Sequence, residues 1–393
     1  MSNQDVFVVG AARTAIGTFG GALKKTPLAE LASLPVQAVL QRSGADPAAV
    51  GHVVMGNVIP TLPADAYLSR VAAMNAGIPK ETPAFNVNRL CGSGLQAIIS
   101  AAQSLMLGDA QMAIGAGAES MSLSPYLLPS VRWGSRMGDT QALDYMLGIL
   151  HDPFENIHMG VTAENIATRN RITRQMQDEL ALEEQRRATQ AIVEGRFAQQ
   201  IVPVQVRGSK GAESFQVDEH PRATSLEQLG QMKTVFKKDG SVTAGNASGL
   251  NDGAAALLLA NADALKNQNL TPMARIVAYA QVGLEPELMG LGPIPATRVA
   301  LARAGLNISD LDVIEANVAF AAQACAVTQE LGLDPEKVNP NGSGIALGHP
   351  VGATGAIIAT KLLHELQRVR GRYGLATMCI GGGQGIAVIF ERL

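Results

Sequence analysis

The chain has 393 residues, 47% of them hydrophobic and 17% charged, which excludes a disordered polypeptide and allows two or three domains with a sizeable core. With 31 Lys and Arg against 34 Asp and Glu the net charge is -3, and aromatic residues are 4% with Trp133 the only tryptophan, so no nucleic-acid partner is expected. Three cysteines, Cys91, Cys325 and Cys379, are too few for a disulfide framework and fit a reducing compartment.

Along the chain, Met1 to Asp5 carry no positive charge, so no signal peptide is expected. Val6 to Val9 reads as a buried strand, Leu28 to Gln41 as a helix and His52 to Met55 as a second strand. Leu95 to Leu107 has helical apolar spacing and Gly108-Asp109 stops it; Met112 to Gly115 is the next strand. This alternation predicts an α/β layer fold with a buried sheet. From about 122 to 249 strong strand runs are few, prolines punctuate the chain, and Thr173 is placed to cap a charge-rich helix running to Arg196. Such an irregular insertion is expected to bind substrate or cover a site. Leu311 to Ile314, Thr354 to Leu366 and Leu375 to Ile380 then repeat the strand–helix–strand pattern. Apolar runs such as Ala254 to Ala260 are far below the ~20 residues of a membrane span, and a soluble cytoplasmic protein is expected.

An internal echo is visible. Asn88-Arg-Leu-Cys-Gly-Ser-Gly opens one helix that leads to the strand ending Gly115-Ala-Gly-Ala-Glu; Asn339-Pro-Asn-Gly-Ser-Gly opens another that leads to Cys379-Ile-Gly-Gly-Gly-Gln. Two halves of similar topology are therefore expected.

Chemistry has few candidate carriers. Cys91 stands before a helix, where unpaired N–H groups and the helix dipole lower a thiol pKa, and its small neighbours leave room for a substrate; it also reads as a small buried hydrophobe. His349 lies in Gly348-His-Pro-Val-Gly, a loop that could hold a base or merely a satisfied histidine. Cys379 ends a strand before three glycines, a position where α/β folds place reactive groups. Asn317 and Phe320 follow the strand at 311, and Cys325 falls in a helix where it should pack. Neither glycine cluster forms G-x-G-x-x-G after a first strand, no Walker lysine follows, and the histidines are dispersed, so neither a dinucleotide nor a metal site is expected.

Together these segments resemble the thiolase family. The likeness runs from Arg13-Thr-Ala-Ile-Gly and Asn88-Arg-Leu-Cys-Gly-Ser-Gly through Thr243-Ala-Gly-Asn-Ala-Ser-Gly-Leu-Asn-Asp to Gly348-His-Pro-Val-Gly and Cys379-Ile-Gly-Gly-Gly-Gln-Gly, and it is similar to bacterial biosynthetic or broad-range β-ketothiolases partly through His158-Met-Gly. The resemblance implies a five-layer α-β-α-β-α thiolase fold of two βαβαβαββ halves. An N-terminal half over 1–121, completed by 251–271, would carry an inserted loop domain over 122–250, followed by a C-terminal half over 272–393. It implies a homo-oligomer, tetramer favoured over dimer, and coenzyme A and acyl-CoA as substrates, with no permanently bound cofactor. The reaction implied is the reversible Claisen condensation of two acyl-CoA molecules, or its thiolytic reverse. Carried to matching positions, Cys91 is the nucleophile, His349 takes its proton, and Cys379 moves the α-proton. The N–H groups of Cys91 and Gly381 form one oxyanion site, and His349 with a water held by Asn317 forms the other. His158 and Met159 would lie near the pantetheine, Ser248 would hydrogen-bond it, Phe236, Ala319 and Phe320 would form apolar walls, and Arg222 would meet the nucleotide end. One departure stands out: the family usually has Asn-Glu-Ala-Phe where this chain has Asn317-Val318-Ala319-Phe320. Val318 can neither ionise nor accept a hydrogen bond, so an activity-impaired CoA-binding homologue, or an altered substrate range, is the alternative. A Cys-His hydrolase, which would not need Cys379, is a further alternative.

Overall fold

The computed structural model describes residues 5–208 and 211–393. The leader reading of Met1 to Asp5 therefore falls, for residues 1–4, outside the described residues. The principal strands are β1 (Phe7–Thr14), β2 (His52–Gly56), β3 (Ala84–Val87), β4 (Met112–Ser120), β5 (Asn251–Ala260), β6 (Ala274–Gly283), β7 (Leu311–Ala316), β8 (Tyr373–Ile380) and β9 (Gln384–Arg392). The principal helices are α1 (Leu28–Ser43), α2 (Ser93–Leu107), α3 (Met159–Arg169), α4 (Arg174–Val193), α5 (Pro293–Ala304), α6 (Ala321–Leu331) and α7 (Val351–Val369). Each predicted strand and helix is found, most of them extended by a few residues; the first strand begins at Phe7 rather than Val6, and the charge-rich helix expected to reach Arg196 ends at Val193. Gly108 stops α2 with φ 81°, a backbone shape that glycine adopts without strain. Thr173 caps α4 by accepting from Met176 N.

The echo is a repeat of topology. The main strand path is β7-β8-β9-β6-β1-β5-β4-β2-β3. Starting from β1 the pairings are antiparallel to β5, antiparallel to β4, parallel to β2. Starting from β6 they are antiparallel to β9, antiparallel to β8, parallel to β7. The two halves meet edge to edge through Phe7–Arg275 and Val8–Ala274. The halves fold into five layers. One outer layer, led by α1, covers one face of the first half; α5 covers the outer face of the second; and α2 with α7 fills the space between the sheets. A strand covered on both faces needs no polar alternation. That is why Met-Ala-Ile-Gly-Ala-Gly-Ala in β4 and Gly-Ala-Ala-Ala-Leu-Leu-Leu in β5 are buried throughout.

The central layer decides where the site can be. A Cβ on Gly355 would collide with the backbone nitrogen of Leu95, and one on Gly94 would come within 2.5 Å of the backbone nitrogen of Ala356. α2 and α7 therefore touch backbone to backbone near their N-terminal ends, and the turns preceding both helices open side by side. Leu90–Leu107, an 18-residue stretch of mean hydropathy 1.3, is apolar enough by composition to cross a membrane, beyond what the sequence reading allowed. It contains α2, and its apolarity serves this interior layer.

The inserted segment is tied to the first half by charge. Arg13 and Asp218, both fully buried, form a bidentate pair at 2.7 and 2.9 Å, and Asp218 also accepts from Ile16 N. Glu219 accepts from Thr18 N at 2.8 Å and from Ala22 N at 3.2 Å. Residues 218–222 are thereby fixed over the segment that follows β1. Replacing Gly355 by Ala would overpack the helix contact, and a loss of about 1–3 kcal/mol of unfolding free energy is expected from denaturant titration. An unchanged midpoint would show that the helices separate at no cost.

Candidate functional site

Cys91 sits in the turn Asn88–Ser93, which its own polar side chains lock. Leu90 N donates to Asn88 Oδ1 (2.9 Å), Arg89 N donates to Ser93 Oγ (2.9 Å), and Ser93 Oγ donates to Leu90 O (2.6 Å). The turn holds Leu90 at φ 45°, an uncommon shape for a residue with a branched side chain. A Cβ on Gly92 would come within 2.5 Å of Ile380 Cδ1, so the glycine lets the turn press against the end of β8, where Cys379 lies.

His349 lies in the turn before α7. Its backbone N donates to Asn251 Oδ1 (2.9 Å), and Nδ1 is 2.7 Å from Thr354 Oγ1. Nε2 is buried without a hydrogen-bond partner among the described residues. Glu119, at the end of β4, accepts from Gly352 N (2.8 Å), Val58 N (3.1 Å), Ile59 N (3.0 Å) and Asn57 Nδ2 (2.9 Å). One carboxyl group thus clamps the histidine turn of the second half onto a loop of the first.

Cys91, His349, Cys379 and Gly381 share a cavity of about 370 Å³ with His158, Met159, Arg222, Phe236, Ser248, Ala319 and Phe320. His158 caps α3 through Nδ1, which accepts from Gly160 N, and its ring stacks on Phe236 with centroids 4.6 Å apart. Phe236 meets Phe320 edge-on at 6.2 Å. Ser248 N donates to Ala319 O at 2.9 Å, which joins two wall segments. Arg222 is held by its backbone N donating to Gln185 Oε1. Asn317 is the exception among the sequence candidates. It is buried outside this lining, its N donates to Thr377 O, and neither side-chain amide atom has a partner among the described residues.

Val318 faces elsewhere. It packs among Ala181, Leu229, Ala321, Ala324 and Ile345 and lines a separate cavity of about 330 Å³ between α4 and α6. The missing carboxylate therefore leaves no gap in the cavity that holds Cys91. Cys325 packs beside the apolar cluster around Ala322 and Ala326, as expected of it.

The electrostatics correct the expectation of a lowered thiol pKa. Burial pushes the Cys91 thiol up to about 11, outweighing the pull of the Gly381 and Cys91 N–H groups. Burial, and then Cys91 itself, pushes the Cys379 thiol up further. Burial brings His349 down to about 4. In the resting site all three groups are neutral near pH 7, because desolvation disfavours each charged form. The N–H of Gly381 that faces the Cys91 sulfur marks a point where negative charge would be met.

Sequence reasoning did not single out Glu119, Asn251, Thr354 or His220. Glu119 and Asn251 lie inside quoted motifs, but their partners Gly352 and His349 are remote in the chain; Thr354 opens a predicted helix, five residues after its partner His349. His220 accepts from Asn251 Nδ2 at 3.3 Å and has Arg222 Nη2 at 3.5 Å; burial, then Arg222, brings it down to about 4.

A duplicated five-layer α/β protein with two cysteines and a histidine gathered where two helices begin is the class that this fold and site define. The chain belongs to the thiolase family. Family models described as the thiolase N-terminal domain and the thiolase C-terminal domain match residues 6–263 and 270–392. The chain is 60% identical over 392 residues to beta-ketothiolase BktB of Cupriavidus necator, covering 99% of this chain and 100% of that one. It is 48% identical over 392 residues to an acetyl-CoA acetyltransferase of Pseudomonas aeruginosa, with the same coverage. The crystal structure of human mitochondrial 3-ketoacyl-CoA thiolase superimposes with a TM-score of 0.98 at 45% identity, covering 99% of both chains. That of the Bacillus anthracis acetyl-CoA acetyltransferase gives 0.97 at 45% identity and covers all of both.

The lowered His220 has a consequence for stability. Between about pH 6.5 and about pH 4 the unfolded state takes up a proton that the folded state refuses, so acid costs stability there. His220→Gln keeps an acceptor for Asn251 but cannot titrate. Between pH 7 and pH 4.5 the parent should lose about 2 kcal/mol more than the variant, read from denaturant midpoints. Parallel losses would contradict this.

Proposed function

We propose that this chain catalyses the thiolase reaction, the CoA-dependent cleavage of a 3-oxoacyl-CoA into two acyl-CoA molecules and, in reverse, the Claisen condensation of two acyl-CoA. The observation that carries the reading is the convergence of Cys91, His349, Cys379 and the Gly381 N–H at one cavity with largely apolar walls. The family's members named above are a β-ketothiolase, acetyl-CoA acetyltransferases and a 3-ketoacyl-CoA thiolase, and a human relative at 45% identity has been crystallised in complex with CoA.

The neutral resting site suits the cleavage direction. Cys91 Sγ attacks the 3-oxo carbonyl while its proton passes to His349 Nε2, and the oxyanion meets the N–H groups of Cys91 and Gly381. The bond between C2 and C3 breaks, and the Cys379 thiol gives its proton to C2, releasing the CoA thioester that carries C1 and C2, while the shortened acyl chain stays on Cys91. A thiol raised by burial is ready to be that donor at pH 7. Acyl-Cys91 remains, so one hard transfer becomes two easier ones. Coenzyme A then gives its thiol proton to the Cys379 thiolate and attacks acyl-Cys91. The departing Cys91 sulfur recovers its proton from His349, and every group returns to its starting state. In condensation the same steps run backwards, with the Cys379 thiolate removing the α-proton. Asn317 would hold a water opposite His349 for the other oxyanion.

Coenzyme A is a substrate here. His158 and Met159 flank its pantetheine arm, Ser248 bonds it, Phe236, Ala319 and Phe320 wall it, and Arg222 meets the nucleotide. The domain division 1–121 with 251–271, 122–250 and 272–393, a homotetramer and a cytoplasmic location belong to the same proposal.

Cys91→Ala should lower CoA-dependent cleavage of acetoacetyl-CoA by at least ~10³-fold, the scale on which losing a nucleophile acts. Turnover that survives in it would reject the reading. Cys379→Ala should still acquire an acetyl group on Cys91 from acetyl-CoA, seen by mass spectrometry, but should not cleave acetoacetyl-CoA. Full cleavage by that variant would move the proton transfer to another group.

A further inference from the structure

A neutral imidazole is a base at only one of its two nitrogens, and the other must carry the proton. Which nitrogen of His349 faces the thiols as a lone pair depends on what its other nitrogen touches. Nδ1 lies 2.7 Å from Thr354 Oγ1, and Thr354 Oγ1 lies 2.9 Å from Pro350 O, both buried. A carbonyl oxygen can only accept, and a hydroxyl has a single hydrogen. If that hydrogen pointed at Nδ1, the hydroxyl and carbonyl oxygens would face each other at 2.9 Å with no proton between them. If it points at Pro350 O, the hydroxyl lone pair is free to accept from Nδ1–H, and both contacts are hydrogen bonds. Only the second arrangement places a proton in both contacts.

The acceptor at the end of this relay is fixed by local backbone geometry. Thr354 lies in the first turn of α7, four residues after Pro350, and its hydroxyl bonds back to that carbonyl in the i−4 manner of helical threonine. Pro350 O also accepts from Ala353 N and Thr354 N, both at 2.9 Å, which keeps it where it is. The histidine turn itself cannot swing away, because Asn251 holds His349 N and Glu119 holds Gly352 N.

We propose that Thr354 is a positioning residue that selects the Nδ1–H tautomer of His349 through the relay Nδ1–H to Thr354 Oγ1–H to Pro350 O. The relay leaves the Nε2 lone pair as the one that takes the Cys91 proton. It serves both halves of the proposed cycle. When Nε2 takes that proton, Nδ1–H remains bonded to Thr354, and the imidazolium forms without any other hydrogen moving. Thr354 touches neither substrate nor sulfur in this role. The inference rests on the thiolase reading for its kinetic consequence, but the tautomer itself can be read without turnover.

The test uses the full-length protein labelled with ¹⁵N histidine, its His349 signals assigned by their loss in His349→Gln. The parent and Thr354→Ser should both show a protonated Nδ1 and an unprotonated Nε2 at pH 7. Thr354→Val keeps the side-chain shape but removes the acceptor, and its His349 signals should move toward the Nε2–H tautomer. Its kcat for acetoacetyl-CoA cleavage should fall about 10- to 100-fold, part of the 10²–10⁴ that a general base supplies, with little change in KM for CoA. Thr354→Ser should restore kcat. An Nε2–H tautomer in the parent, or Nδ1–H retained in Thr354→Val, would overturn the proposal. So would equal kcat in parent and Thr354→Val, or equal losses in Thr354→Ser and Thr354→Val. If the parent itself cleaves no 3-oxoacyl-CoA, the thiolase reading fails, while the ¹⁵N signals still decide the tautomer.

Discussion

The site depends on the contact of two helices at Gly94 and Gly355. Every other side chain would force the backbones of α2 and α7 apart, because the nearest atoms across the contact are backbone atoms that cannot rotate away. With glycine at both places, the turns that carry Cys91 and His349 open together, although 258 positions separate them in the chain. Gly92 adds the third element by letting the Cys91 turn settle on Ile380, which brings the end of β8 and Cys379 to the same place. Two helix N-termini and one strand end thus meet at one point, and each comes from the repeated topology of the two halves.

Burial then sets the protonation states. The helix N-terminus that precedes Ser93 favours a thiolate at Cys91, but the surrounding core outweighs it and keeps the thiol neutral. The same desolvation keeps His349 neutral. A site made of neutral groups can move a proton as a bond forms, and the N–H of Gly381 meets the charge that results. Glu119 provides contrast. Burial pushes its carboxyl up to about 8, while the N–H groups of Ile59, Gly352 and Val58 pull it down. Those donors, from both halves, are what make its carboxyl group a cross-link between them.

The insertion is held by a different device. A fully buried Arg13–Asp218 pair would be costly to leave half-made, because removing one partner strands a charge in the core. The pair fixes where residues 218–222 cross the first half, and so where Arg222 reaches the cavity and His220 meets Asn251. The apolar walls come from further along the same insertion and from the segment after β7, joined through Ser248 and Ala319.

Much of this was legible in the sequence because it is local. Strand and helix positions follow from apolar period, Gly108 and Thr173 from their capping chemistry, and the duplication from two glycine-rich turns that open helices. The types of residue that could do chemistry were also plain, since so few polar side chains stand among so many small apolar ones. The sequence could not decide the sign of the Cys91 shift, because burial is a property of the packed layers and not of the turn. It could not show that Val318 faces another cavity than Cys91 does, since adjacent residues in an irregular segment point in unrelated directions. Nor could it pair Glu119 with Gly352, Asn251 with His349 or Arg13 with Asp218. Each is a contact between segments more than ninety residues apart, and only the tertiary structure brings such partners within the 3 Å at which a hydrogen bond forms.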